Sequence, residues 1–335
     1  MRVGIDARKI ADFGIGTYIR GLLRALVDLG SGDEYIAFAP ANASLPQGVE
    51  HVVVEAPHYS MRELVVVGRA ADRARLDVFH APHYVVPFTH VPIVVTIHDL
   101  IHLHRRNPLQ QLYARTMIGR AMRKAARVLT VSESVARELA SDKVVVTPNG
   151  IDDVFRSGAA AAPAAGSYFL YAGNDKPHKN VSTLIDAFAH VRRKLPGATL
   201  VLAGAPFARF RGRDGIDARG FVPIEELASL YRGAIALVLP SIEEEFGLPA
   251  AEAMASGTAV ITSNAPSLRE ITGDAALHVD ALDASALANA MLRVARDEAL
   301  RASLLARGIE RAKNFSWRAC AMTTRDAYIA AQNSK

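Results

Sequence analysis

Disulfide bonds cannot shape this chain. Its 335 residues include one cysteine, Cys320, so no internal cross-link can form, and the composition suits a reducing compartment. Long apolar runs are missing too. No stretch approaches the roughly 20 residues of a spanning helix. The opening MRVGIDARKI has no apolar region of the signal-peptide kind. The expectation is therefore a cytoplasmic protein. Short repeats are absent, and the small-residue segment RSGAAAAPAAGS around 157–167 is the only low-complexity stretch. With 22% charged and 50% hydrophobic residues, the chain has the means for two packed cores and does not resemble a disordered sequence.

Acids are missing in one place. Between Ile101 and Val131 there is no Asp or Glu, while Arg105, Arg106, Arg115, Arg120, Arg123, Lys124 and Arg127 all fall there, a segment charge of +7 in a chain of net +5. The part LYARTMIGRAMRKAARVL sets Leu112, Met117, Ala121, Ala125 and Val128 at helical spacing. A helix over 112–129 follows. It either turns a basic face to solvent or lies on an anionic membrane surface.

Strand-like runs alternate with helical ones throughout. MRVGIDAR, EYIAFAP, HVVVEAP, DVFHAPH and PIVVTIHD precede the small-residue segment, with a helix at YIRGLLRALVDLG. After it come YFLYAG, ATLVLAG, IDARGFV, AIALVLPS and TAVITSN, interleaved with helices. This alternation reads as two α/β domains with parallel sheets, 1–156 and 167–315. A terminal helix over about 316–333 can pack on either. Ligands of such sheets bind beyond the carboxyl ends of the strands, so a cleft between the two domains is the expected site.

Four motifs fall at strand ends. EEEFGLPAAEAMASG, 243–257, places Glu244 and Glu252 on either side of Gly247, Leu248 and Pro249. Pro249 suits a first helical position and Gly257 a helix end, so a helix spans roughly 249–256. Its amide end favours an anion such as phosphate. The same acids also fit a helix-start charge and a solvated loop. Gly14-Ile15-Gly16 permits close backbone approach to a ligand or simply a tight turn. TIHDLIHLH offers His98, Asp99, His102 and His104. These residues read as a metal site, as a histidine meeting a sugar hydroxyl or a proton, or as structure alone. No cysteine and no helical His-x-x-x-His pairing with a general base supports zinc. YAGNDKPHKN carries Lys176, His178 and Lys179, where a lysine can hold a phosphate as a point charge or a basic turn can sit in solvent.

Taken in order, GIGTY at 14–18, HDL at 98–100, PNGID at 148–152, HKN at 178–180, GFVPIEELASLYRGA at 220–234 and EEEFGLPAAEAMASGTAVI from Glu243 resemble the retaining glycosyltransferases of family four. Those enzymes have the GT-B fold of two Rossmann-like domains facing across a cleft. The last stretch resembles the family's E-x7-E signature, and the resemblance covers nearly the whole chain. It implies that Glu252 holds the ribose of a nucleotide diphosphate sugar and that Glu244 lies by the donor sugar. The run Phe246–Pro249 would then lie near sugar and phosphate. It further implies that Lys179 neutralises the pyrophosphate, that Gly14 and Gly16 reach toward the phosphate, that His98 contacts the sugar near the reacting carbon, and that Phe221 and Val222 meet the base. Catalysis would rest on His98, Lys179 and Glu244, with no metal required.

Two positions depart from the family. Glu245 stands where a glycine is usual. Asn174 stands where an arginine commonly precedes the lysine, so Lys176 or His178 would complete the clamp. YVVPFTHVPIVVTIHDLIHL is most similar to bacterial mannosyl- or rhamnosyl-type enzymes of surface polysaccharide assembly, which makes GDP-mannose the first donor. The acceptor expected is a glycan or lipid-linked glycan, met by the N-terminal domain. HYSMRELVVVG at 58–68, with Tyr59 and Arg62, reads as a mobile loop at its entrance. Arg115, Arg120, Arg123, Lys124 and Arg127 would face anionic lipid. Nucleic acid is not an expected partner. The alternatives are an epimerase or phosphorylase on the same fold, a retaining glycosidase acid pair, and a non-catalytic sugar-nucleotide binder.

Overall fold

The computed structural model describes residues 1–103, 107–156, 168–204 and 206–334. Contacts divide it into two units, Met1–Gly150 with Ser316–Lys335, and Ile151–Phe315.

The first unit holds seven strands, β1 (Arg2–Asp6), β2 (Glu34–Ala39), β3 (Glu50–Val53), β4 (Val78–Ala81), β5 (Ile93–Thr96), β6 (Ala125–Thr130) and β7 (Val144–Val146). They run parallel in the order β3-β2-β1-β4-β5-β6-β7. Helices α1 (Ile15–Asp28), α2 (Met61–Arg73), α3 (Pro108–Lys124) and α4 (Glu133–Leu139) connect them. β4 and β5 are buried along their whole length, as a parallel sheet covered on both faces requires. The sheet order reverses between β1 and β4.

Three local expectations change here. Residues 58–68 are not a loop. Ser60 caps α2, its hydroxyl accepting from the Glu63 amide at 3.1 Å, and the apolar run buries Leu64 and Val67. The helix expected over 112–129 stops at Lys124. Ala125 turns to extended backbone, and the segment AARVLT pairs between β5 and β7, which puts Arg127 on a strand. Within α3 the buried face is Ala114, Ile118 and Ala121, whereas Leu112 is exposed. His104, Arg105 and Arg106 of this region lie outside the described residues.

The second unit holds β8 (Tyr168–Gly173), β9 (Thr199–Gly204), β10 (Ile216–Gly220), β11 (Ala236–Leu239), β12 (Ala259–Ser263) and β13 (Ala276–Val279). They are parallel in the order β10-β9-β8-β11-β12-β13. Helices α5 (Val181–Lys194), α6 (Ile224–Gly233), α7 (Leu248–Ala255), α8 (Pro266–Thr272), α9 (Ala284–Arg296) and α10 (Glu298–Ala312) complete it. Here the order reverses between β8 and β11. Residues 151–156, expected in the first domain, belong to this unit. The Ile151 amide bonds the Phe315 carbonyl at 3.3 Å, and Arg156 reaches the Ala312 carbonyl at 3.1 Å. The segment 157–167 lies outside the described residues.

Helix α11 (Trp317–Gln332) packs on the first unit. Trp317 lies so close to Gly21 and Gly150 that a Cβ on either would come within 2.3 Å of it. No helix among the described residues is long and apolar enough to cross a membrane.

Candidate functional site

In the second unit the candidates gather at the β8–β11 junction, the kind of place where open parallel sheets bind ligands. Asn180, in left-handed backbone at the start of α5, donates to the Pro240 carbonyl at 3.2 Å and the Ala281 carbonyl at 2.6 Å. The Ile242 amide bonds the His178 carbonyl at 2.8 Å. These bonds bring the loop after β8 against the loop after β11. On that frame the Lys179 ammonium pairs with the Glu244 carboxylate. The second oxygen of Glu244 accepts from the Ser241 hydroxyl at 3.0 Å, and the Glu244 carbonyl accepts from Ser267 at 2.7 Å.

The chain then turns into α7 through Gly247, at φ +89°, where a Cβ would sit 2.6 Å from Leu268. Only glycine meets both conditions. Pro249 lies in the first turn, and the helix presents its amide end to the Lys179–Glu244 loop region. The Phe246 ring packs inward on Phe315 at 5.5 Å, so at this position only backbone can meet a ligand.

One turn into α7, the Glu252 carboxylate accepts from the Tyr231 hydroxyl at 2.9 Å. Burial pushes its pKa up to about 7; the bond from Tyr231 opposes that rise and the Asp152 charge adds to it. Asn174 is used within its own turn. Its side chain accepts from the Lys176 amide at 3.2 Å and its carbonyl from Tyr171 at 2.7 Å. Phe221 is exposed and Val222 half-buried. Both follow β10, the edge strand, apart from the β8–β11 junction.

In the first unit the matching place is the β1–β4 junction. Gly14 caps α1 at φ +67° with open space where a Cβ would point, whereas a Cβ on Gly16 would meet the Ile10 carbonyl at 2.5 Å. Gly14 is thus the open position, and Gly16 is fixed by the turn itself. His98, buried just past β5, donates from Nε2 to the Pro82 carbonyl at 3.2 Å. Its ring stands edge-on to Tyr18 at 4.7 Å. Behind it runs a buried chain. The Tyr18 hydroxyl lies 2.9 Å from Thr96, Thr96 lies 2.7 Å from His80 Nε2, and His80 Nδ1 lies 2.8 Å from the Tyr328 hydroxyl.

Of the basic residues, Arg115, Arg123 and Lys124 are exposed on α3, and Arg62 on α2. Arg120 is engaged internally with the Val86 and Pro87 carbonyls and lies 4.4 Å over the Phe88 ring. Among the described residues no group of three or more His, Cys, Asp or Glu is placed to hold a metal ion.

Sequence reading missed Tyr231, Ser241 and Ser267. Tyr231 lay inside a quoted motif, but its use follows from meeting a residue 21 positions away.

Residues 14–155 match the family described as Glycosyltransferase Family 4, and residues 159–314 match Glycosyl transferases group 1. The chain is 31% identical over 290 residues to O-antigen chain mannosyltransferase B of Escherichia coli, covering 75% of this chain and 74% of that protein. Sucrose-phosphate synthase from Thermosynechococcus elongatus superposes with a TM-score of 0.83 at 22% identity over 100% of both chains. Anabaena HepE, solved with UDP and glucose, superposes with a TM-score of 0.77 at 16% identity, over 97% of this chain and 98% of that one. At those identities the two structures speak for the fold alone.

Proposed function

The chain belongs to the family 4 glycosyltransferases, and on that premise we propose that it moves mannose from GDP-mannose, with retention, to a glycan or lipid-linked glycan. The observation that carries this reading is the junction of β8 and β11. There Lys179 and Glu244 pair at the loop leading into α7, with Glu252 one turn further on. Breaking a sugar–phosphate bond leaves negative charge on the diphosphate, which Lys179 and the amide end of α7 are suited to stabilise. Glu252 supplies two acceptor oxygens for the paired hydroxyls of a ribose. Glu244, already fixed by Ser241, is suited to a donor-sugar hydroxyl. His98 and Gly14, at the strand ends of the first unit, would meet the sugar and the phosphate. Mannose is favoured by the similarity to the E. coli mannosyltransferase.

The acceptor belongs, on this reading, to the first unit. The exposed bases of α3 would hold that unit at an anionic membrane surface, where a lipid-linked acceptor resides.

The test is a thermal-shift panel of UDP-, GDP-, ADP- and dTDP-sugars. A ligand at 100 times its dissociation constant stabilises by about 2.7 kcal/mol, so the true donor should stand clear of the rest. GDP-mannose ranking first supports the proposal. A UDP-sugar ranking first would overturn the donor while leaving family membership intact.

A further inference from the structure

We propose that a groove on the second unit, between the end of α5 and the turn that leads into β10, binds a small phosphomonoester with an apolar body. The groove lies apart from the β8–β11 junction, and its occupancy does not depend on the transferase reading.

The sequence carries the first sign of it. Between Asp186 and Asp214 there is no acid, while Arg192, Arg193, Lys194, Arg209, Arg211 and Arg213 all fall there. Strand β9 divides this stretch, and the fold brings its two ends together. Arg192, in the last turn of α5, donates from Nη1 to the Ala198 carbonyl at 3.0 Å and from Nη2 to Asp214 at 2.6 Å. A Cβ on Gly215 would lie 2.8 Å from the Arg192 guanidinium, so helix end and turn are in direct contact. The Gly215 carbonyl accepts from the Leu200 amide at 2.8 Å, which ties the turn to β9. Arg209 is turned elsewhere, to Asp175 at 2.6 Å.

The groove beside this contact has a volume of about 460 Å³ and is lined by Ile185, Phe188, Arg193, Pro196, Arg213 and Ile216, among others. Pockets that hold small ligands run from about 300 to 1,000 Å³.

Charge selects the ligand. Arg192, Arg193 and Arg213 line the groove against Asp214 alone, three positive charges less one, a surplus of two. Asp214 is taken by Arg192. Among the described residues no carboxylate pairs with Arg193 or Arg213, and the Arg213 guanidinium lies 5.5 Å over the Phe210 ring. A phosphomonoester carries close to two negative charges at neutral pH, and a planar guanidinium meets its oxygens with two parallel bonds. A carboxylate or a diester brings one charge and leaves one arginine unmatched. Ile185, Phe188, Pro196 and Ile216 supply apolar contact for a ring on the ester. Bases at a helix carboxyl end are favourable in themselves. That accounts for Arg193 and Lys194 but not for Arg213, which comes from another segment.

Position separates the groove from the donor junction. α5 starts beside Lys179, and its 14 residues span about 20 Å. The groove is at the far end. A phosphate held there is not the diphosphate that Lys179 is suited to stabilise.

Saturation-transfer NMR on the full chain, with phenyl phosphate as the probe, tests this. Saturation should reach the ring protons. Benzoate, with the same ring and one charge, and inorganic phosphate, with the charge and no ring, should each bind about tenfold more weakly. Arg193→Ser with Arg213→Ser should lower phenyl phosphate affinity by about tenfold or more, with an unchanged melting temperature because both side chains are exposed. Arg307→Ser with Arg318→Ser removes the same charge from other exposed positions and should leave binding intact, as should Lys179→Ala. Absence of transfer in wild type overturns the proposal. So does equal affinity for benzoate or inorganic phosphate, or an equal response of the two double variants. Loss of binding in Lys179→Ala also overturns it, by placing the phosphate at the donor junction.

Discussion

Glu252 keeps its proton up to about pH 7 in the free protein, because burial disfavours the charge. A ribose donates two hydroxyls and so binds the ionised form. Below pH 7 binding must therefore expel a proton, and affinity should fall by about tenfold between pH 8 and pH 6. Calorimetry with GDP across that range checks this. Glu252→Gln should bind weakly and without this slope, after allowing for titration of the nucleotide itself. A slope identical in both proteins would mean Glu252 does not touch the ligand. The effect on folding has the opposite sign to that of a salt-bridged acid. The raised pKa favours the fold below the unfolded value of 4.5, and that contribution is lost as pH rises toward 7. At this scale the sequence singles out candidate residues but not how they are joined. Glu244 and Glu252 stand out because Gly247 and Pro249 punctuate the chain between them. The partners Lys179 and Tyr231 lie 65 and 21 positions away, and only the fold brings them near.

At the scale of elements, α3 departs most from its reading. Apolar spacing over 112–129 suggests one core-facing helix, but Ala125 begins a strand, because Val128, Leu129 and Thr130 are buried there between two partner strands. The remaining helix turns Leu109, 78% exposed, and Leu112, 63% exposed, outward, near the exposed bases Arg115, Arg123 and Lys124. Arg120, by contrast, is spent on the Val86 and Pro87 carbonyls. That distribution sharpens the membrane proposal into a test by co-sedimentation with vesicles of rising anionic lipid content. Each base near the surface is worth about 1 kcal/mol, so binding should be clear at low salt and fade as salt screens it. Arg115→Glu with Arg123→Glu should abolish it, and Leu109→Asp with Leu112→Asp should weaken it at every salt concentration. If wild type stays in the supernatant at low salt, α3 is only a solvated helix. The strands were easier to read. β5 and β11 are apolar but for Thr96, whereas β6 carries Arg127 in its middle.

Across the whole molecule, two parallel sheets each reverse strand order once, and several of the candidate groups follow the strands at a reversal. Lys179 and Glu244 lie on loops after β8 and β11. Alternating strand and helix runs made two doubly wound domains legible from sequence. The allegiance of 151–156 was not legible, because it depends on contacts with the Ala312–Phe315 segment. The central claim is transfer of mannose with retention. It is tested most directly by incubating the protein with GDP-α-mannose and methyl α-D-mannopyranoside and following the anomeric protons by NMR. The account predicts one new α-linked mannosyl signal for each GDP released. A β-linked product, or donor consumed without a new glycosidic bond, would contradict it.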